Sequence, residues 1–336
     1  MQTKESIAGR LFDQFKHKYA DKYSFPSDLP AGEGAHASVF KANDILRDTM
    51  VAIKIFHEGT VPSGSSRAWK LTSNIIHNQI APTHTVETFV ADGSEYKAVI
   101  SRFIPGVTLK QVFDWWELQD EGDKMLIADD FSKTFLPSLI NALEVCHSHK
   151  FGHGDLHEGN IMTFLTDIGI NFTFFAVLID FDAASVRTAV YEPSEEVKIA
   201  SDIRLFNKRL GPYITNEWKW GKYLSLMYES YHSMENIKFA YGVILNFIDH
   251  VEKDELSGEF INAQIKQLVL RALSGFPTAP IMSIFRSIAT DTGHLPALEK
   301  SIEEVNESIY NGGLVSSASM TEVNDRRNYL YKTIFP

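Results

Sequence analysis

His153-Gly154-Asp155-Leu156-His157-Glu158-Gly159-Asn160 sets a carboxylate, Asp155, and an amide, Asn160, a few residues apart between two apolar segments. Upstream, Phe135 to Cys146 carries Leu136, Leu139, Ile140, Leu143 and Cys146 at helical spacing. Downstream, Ile161-Met162 and then Phe174-Phe175-Ala176-Val177-Leu178-Ile179 read as buried strands, the second running into Asp180-Phe181-Asp182. Helix, polar loop, strand, strand and a second carboxylate therefore follow one another. The bland alternative is a polar turn, because one such octapeptide arises by chance. The weight then falls on the rest of the chain.

The octapeptide resembles the catalytic loop of the protein-kinase-like superfamily, H-x-D-L-x-x-x-N, and Asp180-Phe181 resembles the start of its D-F-G metal motif. The resemblance implies that Asp155 accepts the proton of an acceptor hydroxyl. It also implies that Asn160 holds one Mg²⁺ and that Asp180 holds the metals bridging the phosphates of ATP. Such groups suit the reaction, which asks a protein mainly to position reactants and neutralise charge, and hard Mg²⁺ prefers oxygen ligands.

A chain of 336 residues is long for one core and suits two lobes of unequal size. At 44% hydrophobic and 22% charged residues it has the composition of an ordinary soluble globular protein. A formal charge of −11 argues against a nucleic-acid or anionic-membrane surface. The single cysteine, Cys146, excludes an intramolecular disulfide and sits on the apolar face of a helix, which makes it a core residue rather than a nucleophile. With no signal-peptide pattern and no apolar run of membrane-spanning length, a cytoplasmic protein is expected.

The spacing of Ile7, Leu11, Phe12, Phe15 and Tyr19 predicts an amphipathic helix over residues 4 to 20. It is read as a cap on the small lobe, with docking of a partner as the other meaning. Phe25 to Pro30 breaks it. Gly32-Glu33-Gly34-Ala35-His36-Ala37-Ser38-Val39 resembles the kinase glycine-rich loop, with Ala37 at the third glycine; strand-like residues follow, where a dinucleotide-binding turn would need a helix. Met50-Val51-Ala52-Ile53-Lys54-Ile55-Phe56 matches the family's V-A-I-K strand, and a lysine among Val, Ile and Phe calls for an anionic partner. Kinases supply a helix glutamate for that lysine. The helical candidate here, about Ser65 to Gln79, contains Arg67, Lys70 and His77 but no acidic residue.

Thr85 to Ala91 and Tyr96 to Phe103 read as a hairpin around Asp92-Gly93-Ser94, and Ser101 to Leu109 resembles the hinge. By position, the resemblance implies nucleotide contacts from Gly32, Gly34, Ser38, Val39, Ala52, Lys54, Ser101, Phe103, Ile104 and Asp180. Asp155, Lys54 and Asn160 would be catalytic, with Asn160, Asp180 and Asp182 on the metal.

Two features of the larger lobe bear on the acceptor. His157 stands two residues after the loop Asp, where many protein kinases have Lys, and Asp182 replaces the glycine of D-F-G; both resemble aminoglycoside- and choline-type kinases. Asp182 would either bind metal or cap a turn, and His157 would either contact the acceptor or serve structure. No A-P-E sequence separates Asp180 from Asp202, so the activation segment is short. Asp202 resembles the aspartate that anchors the catalytic loop, placed at the start of the central helix. Later stripes, such as Ile261, Ile265, Leu268, Val269 and Leu273, predict further core helices.

The expectation is an α+β, bilobal protein-kinase-like fold with a small antiparallel β-rich N-lobe and a mostly helical C-lobe. Its parts would be an N-terminal helix and lead-in over 1–30, an N-lobe over 31–104, a C-lobe with extra C-terminal helices over 105–312 and a tail over 313–336. The activity implied is transfer of the γ-phosphoryl group of ATP, with Mg²⁺, to Ser or Thr of a protein substrate. The alternatives are a small hydroxylated metabolite as acceptor and a nucleotide-binding scaffold without turnover.

Overall fold

The computed structural model describes residues 4–34, 36–57, 69–70, 72–168, 171–182 and 194–310. The chain forms two compact units, one of residues 1–119 and 145–202, the other of residues 120–144 and 203–336.

In the first unit, helix α1 (Lys4–Lys18) precedes strands β1 (Tyr23–Ser24), β2 (Gly32–Glu33), β3 (Ala37–Asp44), β4 (Thr49–Phe56), β5 (Thr83–Ala91) and β6 (Ser94–Arg102). They form one antiparallel sheet in the order β1-β3-β4-β6-β5, with β2 also paired to β3. The β5–β6 hairpin turns at Asp92-Gly93, both at positive φ (51° and 76°), the backbone that Asp-Gly favours in a tight two-residue turn. Alternation along β4 divides its residues between two faces. Val51, Ile53 and Ile55 are fully buried and meet Leu11, Phe12 and Phe15 of α1, with Phe12 stacked on Phe40 at 4.0 Å between ring centroids.

The apolar stripe of α1 is thus consumed by the core of its own unit. This is the cap expected from the sequence, with Leu11, Phe12 and Phe15 buried against the sheet.

Past the sheet come β7 (Val107–Thr108) and helix α2 (Leu109–Trp116), opened by a capping box in which Thr108 and Gln111 satisfy each other's backbone groups. Strands β8 (Ile161–Ile168) and β9 (Asn171–Leu178) pair with β7 in a second antiparallel sheet, order β7-β8-β9. Gly106 ahead of β7 must be glycine, since a Cβ there would lie 2.4 Å from the Thr163 carbonyl oxygen. Residues 79–81 run beside the end of β9, with Leu178 N–H donating to Gln79 O and Ala81 N–H to Leu178 O, each at 2.9 Å. The helix expected over Ser65 to Gln79 does not extend that far: the chain turns at Ser73-Asn74 and is not helical through Ile75 to His77.

The second unit is helical. Glu121–Asp130 opens on an Asp120 cap, and Met234–Glu252, Gly258–Leu273, Ala279–Asp291 and Leu295–Tyr310 follow; in Gly258–Leu273 the stripe Ile261, Ile265, Leu268 and Val269 is buried as expected, and Leu273 is exposed. Tyr241 donates its hydroxyl to Ser132 O at 2.8 Å inside this core. No helix among the described residues is long and apolar enough to cross a membrane.

Candidate functional site

The face of β4 opposite the α1 core carries Ala52 and Lys54. Pairing places Val39, Lys54, Val99 and Val86 side by side across β3, β4, β6 and β5, and Lys41, Ala52 and Ser101 in the neighbouring row. Lys54 Nζ donates to Asp180 Oδ1 at 2.6 Å, to Asp180 Oδ2 at 2.8 Å and to Asp182 Oδ2 at 2.6 Å. The other oxygen of Asp182 accepts the indole N–H of Trp69 at 2.7 Å. The partners of Lys54 are therefore two carboxylates from the turn after β9. Glu58, and residues 65–68 and 71 of the stretch searched for a helix glutamate, lie outside the described residues.

An extended Asp-x-Asp would put both side chains on one face. Here the convergence comes from a turn instead: β9 ends at Leu178 and Asp180 takes a left-handed backbone, φ 60°. Asp tolerates that region better than most residues.

Electrostatics follow from this packing. Burial is the largest influence on Lys54 and works to lower its pKa, but Asp180 and then Asp182 outweigh it and hold the ammonium above the ordinary lysine value. Asp180 is also penalised by burial, yet Lys54 overcomes that and keeps its carboxyl below the usual range. Asp182 goes the other way: burial and then the neighbouring Asp180 push it up to about 6.

The loop that opened the sequence reading is fastened from below by Asp202. Its carboxylate is fully buried and accepts the backbone N–H of His153 at 2.6 Å and of Gly154 at 3.0 Å, with His147 Nε2 at 3.2 Å. The anchoring role expected of Asp202 is what the geometry shows. Its place is different, in the second half of helix Glu195–Leu205 rather than at the start of a helix. Gly154 takes φ 79°, and a Cβ on it would lie 3.3 Å from the Lys198 side chain, so bound Asp202 and bare Gly154 go together.

From this base the loop reaches the Asp180 turn by two bonds. His153 Nε2 lies 2.8 Å from Ile179 O, and Ile179 N–H donates to Asn160 O at 3.0 Å. Asn160 donates its amide to Asp155 O at 2.9 Å and to Asp155 Oδ2 at 3.3 Å. His157 accepts the Gly159 N–H on Nδ1 at 3.0 Å and turns Nε2 toward Asp155 Oδ2, 3.8 Å away. Phe181 fills the space beneath, 4.8 Å from the His153 ring and 5.5 Å from Phe151.

The sequence-predicted residues thus fall into two bonded groups, Lys54 with Asp180 and Asp182, and Asp155 with Asn160. The bonds between Asn160, Ile179 and His153 join the two. The remaining candidates have other neighbours. The Ser38 hydroxyl is buried against His57 Nε2 at 2.8 Å. Gly32 and Gly34 are exposed, with the turn closed by Gly34 N–H to Ala37 O. Phe103 N–H donates to Met50 O, and Ile104 is buried with Ala81 and Val177. Trp69 and His57 were not foreseen, since neither stands in a recognisable motif.

No family model matches the chain. Over 164 residues, 45% of this chain, it is 24% identical to the Probable serine/threonine-protein kinase PknB of Lactococcus lactis, covering 24% of that protein. It is 24% identical to the Inhibitor of nuclear factor kappa-B kinase subunit epsilon of Mus musculus over 44% of this chain and 20% of that one. It is 26% identical to the Serine/threonine-protein kinase PksC of Streptomyces coelicolor over 39% of this chain and 24% of that one. The matched segments span about a quarter or less of each relative. This similarity supports a kinase-like superfamily and nothing narrower.

The donor set can be tested against the divalent ion that such proteins use. Asp180 and Asp182 already converge on one positive charge, the Lys54 ammonium, and the Asn160 amide oxygen makes no hydrogen bond among the described residues. Two carboxylates and an amide oxygen are hard oxygen donors, so these residues fit Mg²⁺.

Proposed function

We propose that the protein is an ATP- and Mg²⁺-dependent phosphotransferase of kinase-like, bilobal fold that moves the γ-phosphoryl group to a hydroxyl, most directly Ser or Thr of a protein. The observation that carries this reading is the convergence of Lys54, Asp180 and Asp182, with the Asp155–Asn160 pair tied to the same turn through Ile179. Similarity to serine/threonine kinases supports the protein acceptor.

Each residue then has a task. Asp155 takes the proton of the attacking hydroxyl, and Asn160 holds its carboxylate in place by the amide donation. Asp180, Asp182 and Asn160 would hold Mg²⁺, which supplies charge neutralisation for the phosphates. Lys54, charged and positioned by its two carboxylates, binds phosphate oxygens. Gly32, Gly34, Ser38 and Val39 would cover the phosphates with backbone groups, while Ala52, Ser101, Phe103 and Ile104 would border the base.

A second reading, a small hydroxylated metabolite as acceptor, is favoured by His157, whose Nε2 lies beside the Asp155 carboxylate where an acceptor hydroxyl would sit. Incubation with γ-labelled ATP and Mg²⁺ separates the two. Acid-stable label recovered as phosphoserine or phosphothreonine, lost in Lys54→Met and Asp155→Asn, supports the protein acceptor. ATP consumption that begins only when a hydroxylated metabolite is added, with no label in any polypeptide, replaces it with the second reading.

A further inference from the structure

A cavity of about 270 Å³ opens between β5, β6 and the turn that follows Trp69, on the sheet face that carries Lys54. Its lining includes Lys70, Lys97, His84, Ser73, Thr85 and Trp69, and no carboxylate among the described residues. Neither Lys70 nor Lys97 has an ion pair or side-chain hydrogen bond among the described residues, although acidic groups outnumber basic ones along the chain by 43 to 32. Two ammonium groups that are unpaired among the described residues flank one concavity, a local excess of positive charge in an otherwise acidic protein.

The size and chemistry narrow the ligand. At about 270 Å³ the cavity is at or below the small end of ligand pockets and suits a compact head group. Two lysines act as point charges and the Thr85 hydroxyl adds a donor, while Ser73 gives its own to Lys70 O at 2.9 Å; this matches a dianion with three terminal oxygens better than a monovalent carboxylate. Burial and then the Arg47 charge hold His84 below the ordinary histidine range, so it contributes as a neutral imidazole.

We propose that this cavity is a binding site for a phosphate group, free or as a monoester, held by Lys70 and Lys97, and that Trp69 communicates its occupancy to Asp182. Trp69 forms part of the cavity wall and at the same time donates its indole N–H to Asp182. It thereby belongs both to this cavity and to the cluster of Lys54, Asp180 and Asp182. The binding step does not depend on the phosphotransfer reading.

The test is isothermal titration of the full chain with O-phosphoserine and with inorganic phosphate at constant ionic strength. Saturable one-to-one binding is expected, weakened about tenfold or more in the Lys70→Gln, Lys97→Gln double variant, as the loss of two charge-assisted contacts implies. Circular dichroism and the thermal midpoint should match the wild type, because Lys70 is exposed and Lys97 half-buried. Lys54→Met should retain the binding, which separates this site from the nucleotide site. Trp69→Phe should lose the ligand-induced change in tryptophan fluorescence. Preference for phosphoserine would name a phosphorylated side chain as the source, and equal affinity a free phosphate; either keeps the proposal. No saturable binding, undiminished affinity in the double variant, or loss of binding in Lys54→Met alone overturns it. A fluorescence change that persists in Trp69→Phe overturns the role of Trp69.

Discussion

Trp69 donates its indole N–H to Asp182 Oδ1 at 2.7 Å while Lys54 holds the other oxygen of the same carboxylate at 2.6 Å. One buried carboxylate thereby fixes an aromatic and an ammonium that stand 113 and 128 residues before it in the sequence. Trp69→Phe removes the donor and leaves a buried charged oxygen without it. A loss of about 1–3 kcal/mol in stability is expected. Urea unfolding at neutral pH measures it, and a variant as stable as the wild type would mean that the indole bond is not made in solution.

Asp202 offers a larger effect. Asp202→Ala withdraws acceptors from the backbone N–H groups of His153 and Gly154 and from His147 at once, inside a fully buried site. A loss of roughly 3 kcal/mol or more is expected, together with loss of phosphotransfer, because the loop bearing Asp155 is released. Asp202→Asn, which keeps one acceptor oxygen, should fall between. Equal stability of Asp202→Ala and wild type would remove the anchor.

Gly154 should tolerate no side chain. Gly154→Ala forces a Cβ into a left-handed backbone and toward Lys198, for an expected cost of about 1–2 kcal/mol. Combining it with Lys198→Ala relieves only the steric part. Full recovery of the unfolding midpoint in the double variant would show that the backbone conformation carries none of the cost.

Cys146 is fully buried in helix Leu136–Ser148, and burial pushes its thiol far above the usual cysteine range. The native protein should therefore be inert to a thiol reagent at pH 8 and should react in step with urea unfolding. Prompt stoichiometric labelling under native conditions would contradict this packing.

Much of this architecture was legible because local chemistry and tertiary need agreed. Val51, Ile53 and Ile55 alternate with Lys54 and fix which face of β4 meets α1. Asp92-Gly93 specifies the hairpin turn. What was not legible was long-range. The family resemblance implies a helix glutamate for Lys54 and the sequence offers none in the helical candidate; the ammonium is bound instead by carboxylates of the turn after β9, and no periodicity links Trp69 to Asp182. The β8–β9 hairpin was read short because Thr163 to Ile168 mixes polar and apolar residues and lacks an Asn-Gly or Asp-Gly turn signal. Asp202 was recognised by its role and misplaced by position, although Ser194, which accepts the Val197 N–H at 3.4 Å, and Glu195-Glu196 in the first turn mark an earlier helix start.

The most direct measurement is turnover of γ-labelled ATP by wild type and Asp155→Asn, each with its nucleotide affinity determined in the presence of Mg²⁺. The substitution removes a charge and keeps the shape. The account predicts nearly equal nucleotide affinity and a fall in turnover of roughly 10² to 10⁴, the scale for losing a positioned base. Unchanged turnover in Asp155→Asn, or a wild-type protein that binds nucleotide and transfers nothing to any hydroxyl, would contradict it.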